Sequence, residues 1–421
     1  MDFNFPTELL TRLDTPLHKF LLQVLLVLLV AKIAGRCMRL FKQPAVIGEM
    51  IAGIFLGPSL FGWLLPSAHS WLFPANGLSS LNHVSQLGVL IFMFTAGAEW
   101  DMSRLKEKFK STAIISQFGI FLPFVMGLGL ASFLYSMYAP VKVSLFDFSL
   151  FVGISLSVTA FPVLLRIIED RGYKGSEIAT VAIACAAIAD ASAWALLGII
   201  VATVQSQSIT SALLCAFTAL AYAWILIVPG RRFIAKQTID EQNYSRWLVI
   251  LVVAILSSAM FTELIGLHLL FGAFLAGIAV SSNQVLRNII VEKIEPFAGA
   301  LLLPLFFAQT GLNTRIDMLN AKEWLLCLLI TGLATLGKLG GTALAARVSG
   351  LSTPDSWRLG ALMNTRGLME LIVLGIGLQL GLISQNLYAI LVLVAIITTI
   401  MTGPLLGLID RISKPNLLTG I

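Results

Sequence analysis

Apolar runs long enough to cross a bilayer, separated by short polar segments, make up most of the chain. They predict an all-α, polytopic membrane protein with about thirteen transmembrane helices. The predicted spans are residues 17–40, 44–62, 82–99, 110–137, 146–169, 176–205, 209–228, 245–262, 265–282, 297–312, 321–347, 356–380 and 385–410. A single transmembrane domain is therefore expected over residues 1–412, followed by a short tail at 413–421.

The positive charges are distributed unevenly between the predicted loops. Of 28 lysines and arginines, 20 lie in loops on one side of the membrane and 5 on the other, while Lys32, Lys338 and Arg366 lie within spans. Because positively charged loops stay in the cytoplasm, we expect the amino terminus outside and the carboxyl terminus in the cytoplasm. The predicted location is the inner (plasma) membrane.

Composition agrees with a protein surrounded by lipid. Hydrophobic residues make up 57% of the chain and charged residues 12%, against about 25% charged in soluble domains, which excludes a soluble enzyme. The net charge of +6 comes from the loops and does not indicate a nucleic-acid partner. The four cysteines lack the spacing of metal ligands or disulfides.

One carboxylate, Asp190, lies near the middle of the apolar run 176–205. An ionised aspartate at the bilayer centre costs about 2.5–3.5 kcal/mol, so it requires a partner or a function. Lys338 lies inside another apolar run and is the expected partner. We expect the two groups to alternate between bonding each other and handling an ion and a proton; the alternative is a buried ion pair that only fixes packing.

Two spans are interrupted near their middle. Pro162 follows Ser157-Val158-Thr159-Ala160 and should open the helix, because it lacks an amide proton and crowds the carbonyl of Val158. The later span carries the polar run 363–370 at similar depth. Interrupted helices at matching positions of two halves are typical of transport sites, although a proline kink and a packed polar cluster are the alternative.

A weak internal repeat supports two such halves. Residues 94–102 end the third span and the similar residues 307–318 end the tenth, each after a glycine-rich span. Spans 1–6 would then match spans 8–13 as inverted repeats, with the seventh span as a connector, which is a common plan of secondary transporters.

Five stretches resemble the monovalent cation:proton antiporter-2 family, especially plant-type cation/proton exchangers and their bacterial relatives. They are 42–49 with 56–62, 159–164, 189–190, 262–268 with 271–274, and Met-Asn-Thr-Arg-Gly-Leu-Met-Glu-Leu at 363–371. The resemblance implies the sodium/proton antiporter fold with crossed broken helices, a homodimer and an elevator mechanism. It also implies a moving core at about 110–205 and 321–410, a dimerising scaffold at about 17–99 and 245–312, and a linker helix at 209–228.

The candidate site contains groups of three kinds. A hard cation needs several oxygens, which Asp190 and the opened segment can supply; the expected ion- and proton-binding residues are Asp190, Thr159, Ser157, Val158 and Ala160. Lys338, which resembles the family's core lysine, is expected to compensate charge together with Arg366 and Glu370. Asn364, Thr365 and Ala189 are expected to line the site. Ala189 departs from the family pattern, because sodium-type members usually carry a second acid there and potassium-type members an amide.

These features together predict a secondary antiporter that exchanges K⁺ or Na⁺ for H⁺, and not an enzyme. Because Ala189 removes one oxygen, a transporter-like sensor that binds an ion without turnover is the alternative. A carrier of organic anions is a further alternative, since such a carrier would present a cationic group such as Arg366 at a helix break. Neither an ATP-binding motif nor a Gly-x-Gly-x-x-Gly fingerprint is present in the sequence, so no cofactor and no nucleotide-binding tail are expected.

Overall fold

The computed structural model describes residues 15–41, 43–74, 78–99, 109–173, 176–205, 209–239, 244–265 and 268–413. Within these ranges the regular secondary structure is entirely helical, as predicted. The predicted tail lies outside the described residues, apart from Ser413.

Nine helices come from the first half of the chain. They are α1 (Pro16–Leu40), α2 (Ala45–Leu56), α3 (Phe61–Leu64), α4 (Pro66–Leu72), α5 (Ser79–Ala98), α6 (Phe109–Tyr138), α7 (Leu145–Ser157), α8 (Phe161–Asp170) and α9 (Glu177–Gln205).

The second half contains twelve further helices. They are α10 (Ile209–Ile225), α11 (Arg231–Ala235), α12 (Tyr244–Leu264), α13 (Leu269–Val280), α14 (Gln284–Ile289), α15 (Glu295–Phe297), α16 (Leu303–Leu312), α17 (Ala321–Thr335), α18 (Gly341–Val348), α19 (Thr353–Met363), α20 (Leu368–Gln379) and α21 (Gln385–Ser413). Wider π-helical turns at Leu226–Gly230, Ile290–Ile294, Ala298–Leu302 and Leu336–Gly340 join several of them into longer rods, and a 3₁₀ turn covers Ile316–Met318.

Each predicted span coincides with one described rod or with a pair of shorter helices. By length and composition, nine of the described helices can cross a bilayer, and three shorter apolar helices accompany them. The span predicted at 44–62 coincides with the candidate membrane span Ala45–Leu64, which is interrupted between α2 and α3, where Gly57 is extended before Pro58. The span predicted at 297–312 is too short, because α14 to α16 continue back to Gln284 through charged turns that hydropathy does not count.

Close helix packing depends on glycine where backbones touch. A Cβ at Gly53 of α2 would lie 2.2 Å from the carbonyl oxygen of Ala308 on α16. A Cβ at Gly277 of α13 would lie 2.1 Å from the carbonyl oxygen of Phe94 on α5. Neither contact leaves room for a side chain, so these pairs of helices can approach only through glycine.

The helices differ strongly in how much of them is buried. In α21, 72% of the most apolar window is buried inside the protein, which makes it the central rod. The corresponding fraction is 22% for α1 and 0% for the rod Phe217–Ala235. Apolar surfaces left this exposed in a membrane protein face lipid or another protein chain. Two of the polar candidate residues, Asn364 and Arg366, contact the central rod.

Candidate ion-binding site at two crossed helix breaks

The first helix break separates α7 from α8. Helix α7 ends at Ser157, and Val158 is extended, with φ −65° and ψ 145°. Residues Val158 to Ala160 are non-helical and buried, and α8 begins at Phe161. Pro162 is thus the second residue of α8, a position where its missing amide proton costs no hydrogen bond.

The second break separates α19 from α20 and lies against the first. The backbone N–H of Ala160 donates to the carbonyl of Thr365 at 3.0 Å. The hydroxyl of Thr159 donates to the carbonyl of Met363 at 3.3 Å. Gly367 has φ +157°, and a Cβ there would lie 2.9 Å from Cγ2 of Val163. The two breaks therefore cross in direct contact, and glycine is needed at the crossing.

Two cations neutralise the carboxyl end of α7. Arg366 donates through Nη1 to the carbonyl of Ser155 at 2.9 Å and through Nη2 to that of Leu156 at 2.5 Å. The ammonium of Lys338 donates to the carbonyl of Ser157. These carbonyls have no partner inside the helix and carry the negative end of its dipole, so both cations are placed favourably.

Arg366 is also paired within its own segment. Its Nη1 lies 2.8 Å from Oε1 of Glu370, and both side chains are fully buried. This is the pairing that their four-residue spacing predicts. Arg366 thus connects α7 to the start of α20 through Nη1 and Nη2, while its Nε has no hydrogen-bond partner among the described residues.

Lys338 is held inside the bundle by an unusual turn. It lies in the π-helical turn Leu336–Gly340, has no exposed surface and interacts electrostatically with Asp190. The hydrogen bond expected between these two side chains is not among the described contacts, because the ammonium is bonded to the carbonyl of Ser157. The structure therefore places the pair within electrostatic range while leaving the aspartate available.

Asp190 faces the amino terminus of α8. Its carboxylate interacts electrostatically with the backbone N–H of Phe161, and Oδ1 has no hydrogen-bond partner among the described residues. The side chain is 8% exposed, which distinguishes it from the completely buried Lys338. A buried carboxylate oxygen normally has a partner, and Oδ1 lacks one among the described residues, as do Nε of Arg366 and Oε2 of Glu370 at the same crossing.

The remaining predicted site residues differ in whether they offer an oxygen atom to an ion. Ala189 is buried in an apolar cluster and offers no oxygen. The hydroxyl of Ser157 donates to Gly153 at 2.6 Å and that of Thr365 donates to Leu362 at 2.6 Å, so each hydroxyl proton stays on its own helix. Asn364 is buried, and its Oδ1 has no partner among the described residues.

One residue beside the site was missed by the sequence reasoning. The hydroxyl of Thr399 on α21 accepts from the backbone N–H of Arg366 at 3.0 Å and lies 2.6 Å from its carbonyl oxygen. It therefore fixes the second break to the central rod. The run Thr398-Thr399 with Thr402, inside the apolar span 385–410, was the available signal.

Comparison with solved structures identifies the fold. The sodium proton antiporter MjNhaP1 from Methanocaldococcus jannaschii superposes with a TM-score of 0.69, at 14% identity, over 96% of this chain and 100% of that one. At this identity the likeness establishes the fold alone, and it confirms the predicted antiporter architecture.

Comparison with characterised sequences identifies the family. Residues 25–409 match the sequence model of the transmembrane sodium/hydrogen exchanger. The Na(+)/H(+) antiporter NhaS4 of Synechocystis is 38% identical over 391 residues, which cover 91% of this chain and 95% of that protein.

Two eukaryotic relatives are longer. Cation/H(+) antiporter 17 of Arabidopsis thaliana is 36% identical, over 93% of this chain and 48% of that protein. K(+)/H(+) antiporter 1 of Saccharomyces cerevisiae is 32% identical, over 94% of this chain and 47% of that protein. The chain thus spans about half the length of these two relatives. On these matches the chain is a multi-pass membrane transporter and not an enzyme, and it belongs to the sodium/hydrogen exchanger family.

Proposed function

We propose that the chain exchanges a monovalent cation, K⁺ or Na⁺, for H⁺, with Asp190 binding either the cation or the proton. The observation that carries this proposal is that Oδ1 of Asp190 has no hydrogen-bond partner in the described part of the chain and lies beside an opened backbone segment. A cation and a proton compete for one carboxylate, and that competition is sufficient to couple their movements. The names of the relatives include both Na⁺ and K⁺ exchangers, so the proposal includes both ions.

Thr159 and the opened backbone at Val158 would supply further oxygens to the cation. The carbonyl of Ala160 already accepts from the backbone N–H of Leu164 at 2.9 Å, so Ala160 would contribute less. The carbonyl of Ser157 already accepts a hydrogen bond from the ammonium of Lys338. The proposed contribution of Ser157 is therefore to hold that ammonium near Asp190. Asn364 offers an additional oxygen, since its Oδ1 is unpartnered among described atoms. Arg366 and Glu370 would keep the crossing rigid and balance its charge.

For the transport step, we propose the elevator movement implied by the family resemblance. The proposed core (about 110–205 and 321–410) would move against the scaffold (about 17–99 and 245–312). Residues 209–228 would be the linker, and two chains would be joined through their scaffolds.

Between the two bodies lies a cavity of about 80 Å³, lined among others by Gln309 and Tyr388. Side-chain contacts join them near the middle and at the start of α21, from Gln43 to the carbonyl of Ile400 at 3.3 Å and from Gln385 to that of Asn313 at 2.5 Å. We further propose that the amino terminus is outside and the carboxyl terminus is in the cytoplasm.

The test is exchange by the purified protein in proteoliposomes that enclose a pH-sensitive dye. Addition of K⁺ or Na⁺ should dissipate an imposed pH gradient, and Asp190→Asn should abolish the response, because an amide neither takes up the proton nor balances the cation's charge. Asp147→Asn is the matched control, since Asp147 lies at the start of α7 and bonds the hydroxyl of Ser144 at 2.6 Å. Normal exchange by the Asp190→Asn protein would refute the assignment.

A further inference from the structure

A stripe of exposed and partly exposed residues runs along the rod formed by α10, the π-helical turn Leu226–Gly230 and α11. Trp224, Val228, Arg232 and Lys236 follow one another at four-residue intervals, which places them on one face of the rod. Together with Pro229 and Phe233 they line a groove of about 370 Å³. We call these six residues the linker groove.

The two ends of the linker groove differ in chemistry. Trp224 is 62% exposed and Phe233 67% exposed, so the groove presents aromatic surface. Arg232 and Lys236 place two cations toward the other end, about 18 Å along the rod from Trp224 to Lys236. An apolar stretch that leads into a basic end matches the acyl chain and the phosphate of a phospholipid.

The opposite face of the same rod is fastened to the protein. Asn283 donates to the carbonyl of Ile234 at 3.1 Å and to that of Gln237 at 3.0 Å. The hydroxyl of Ser282 donates to the carbonyl of Arg231 at 2.9 Å. The linker groove is therefore held in a fixed orientation, facing away from the bundle and toward the membrane.

We propose that the linker groove binds an anionic phospholipid, with its phosphate on Arg232 and Lys236 and an acyl chain along Val228 and Trp224. None of the most apolar window of this rod is buried in the protein, so lipid has access to it. A second copy of the chain is less suited to the groove, because a two-fold axis there would place Arg232 and Lys236 against their own counterparts. The proposal is independent of the exchange activity.

The test uses the full chain, purified in detergent and freed of lipid, with dioleoyl phosphatidylglycerol or phosphatidylcholine added back. Bound lipid is counted by native mass spectrometry and thermal unfolding is followed in parallel. The wild type should bind phosphatidylglycerol in preference and unfold at a higher temperature with it. Arg232→Gln with Lys236→Gln should weaken the apparent affinity roughly 30-fold, since each basic residue near an anionic surface contributes about a factor of 5.

The matched control changes two basic residues that lie outside the linker groove. Arg36 and Arg39 are exposed near the end of α1, on the same predicted side of the membrane, so Arg36→Gln with Arg39→Gln should leave the preference unchanged. Both double variants should unfold normally without lipid, which separates loss of binding from loss of fold.

Four outcomes would overturn the proposal. They are no preference for phosphatidylglycerol in the wild type, equal weakening in the two double variants, the same thermal shift with inorganic phosphate, and dissociation of an oligomer on Arg232→Gln with Lys236→Gln while the lipid affinity is unchanged. The last outcome would instead make the linker groove a contact between copies.

Discussion

Arg366 carries the largest fully buried charged side chain of the described residues. It bonds two carbonyls of α7 and one oxygen of Glu370, and its neighbour on the same helix end is the ammonium of Lys338. A buried pair adds little net stability compared with apolar residues, but breaking it by removing one partner leaves an unpaired buried charge. Arg366 therefore matters to the fold as well as to the site.

We predict that Arg366→Leu destabilises the protein by about 3–5 kcal/mol, because Glu370 would remain charged and buried without its partner. The double variant Arg366→Leu with Glu370→Leu should recover part of this loss. Thermal unfolding of the detergent-purified proteins measures both effects.

The control for this prediction is Arg315→Leu. Its partner Asp317 lies 2.7 Å away, but the arginine side chain is 42% exposed, so the expected cost is about 0–1 kcal/mol. Equal destabilisation by the two arginine variants would contradict the role of burial.

For single residues, the sequence was sufficient to predict which polar side chains lie close together, but not every hydrogen-bond partner. The charge of Arg366 and the spacing to Glu370 were sufficient to predict their pairing. The expected bond from Lys338 to Asp190 is replaced by one to the carbonyl of Ser157. That carbonyl is free only because α7 ends there, and the choice between acceptors depends on three-dimensional placement that residue spacing does not determine.

At the scale of elements, the crossing depends on how closely the two breaks approach. Pro162 and the polar run 363–370 were sufficient to predict both interruptions. The family resemblance predicted that the two breaks cross, but the particular hydrogen bond from Ala160 to Thr365 was not predictable, because it joins residues that are far apart in the chain. Thr399 was missed for a related reason, since its hydroxyl serves another element's backbone.

We predict that Gly367→Ala impairs both stability and exchange. The new Cβ would meet Val163 at 2.9 Å in a backbone conformation that side chains rarely adopt, and such strain costs about 1–3 kcal/mol. Thermal unfolding and the proteoliposome assay report the two losses.

Gly375→Ala is the matched control on the same helix, α20. A Cβ there would have no neighbour within 4 Å, and alanine favours a helix over glycine by about 0.5–1 kcal/mol. This variant should be at least as stable as the wild type. If the Gly367→Ala protein were as stable as the Gly375→Ala protein, the two helix breaks would tolerate a wider separation at their crossing.

At the scale of the whole molecule, two adjacent residues of α21 contact different bodies of the proposed elevator. Gln385 donates to the carbonyl of Asn313 at 2.5 Å, which lies at the end of the scaffold helix α16. Asn386 donates to Glu323 at 2.7 Å, which lies within the proposed core. A relative movement of the two bodies would break the first contact and preserve the second.

We predict that cross-linking Gln385→Cys to Asn313→Cys with a short thiol-specific reagent stops exchange, and that cleaving the link restores it. The control joins Asn386→Cys to Glu323→Cys and should leave exchange intact, because both residues would move together. Both pairs are best placed in a Cys37→Ser background, since Cys37 is exposed. Unimpaired exchange in the first cross-linked protein would exclude the proposed movement.

The four ionisable side chains at the crossing have an electrical consequence. Two of them are acids, Asp190 and Glu370, and two are bases, Lys338 and Arg366, so their formal charges cancel when all are ionised. In the proposed exchange, a proton or a monovalent cation adds the same single charge to this balanced set. The work of moving one charge through 100 mV is about 2.3 kcal/mol, and it would be equal and opposite for the two halves of the cycle. If Lys338 stays charged throughout the cycle, such an exchanger would be driven by concentration gradients alone and would leave the membrane voltage unchanged; release of a proton from Lys338 on cation binding would instead make the exchange electrogenic.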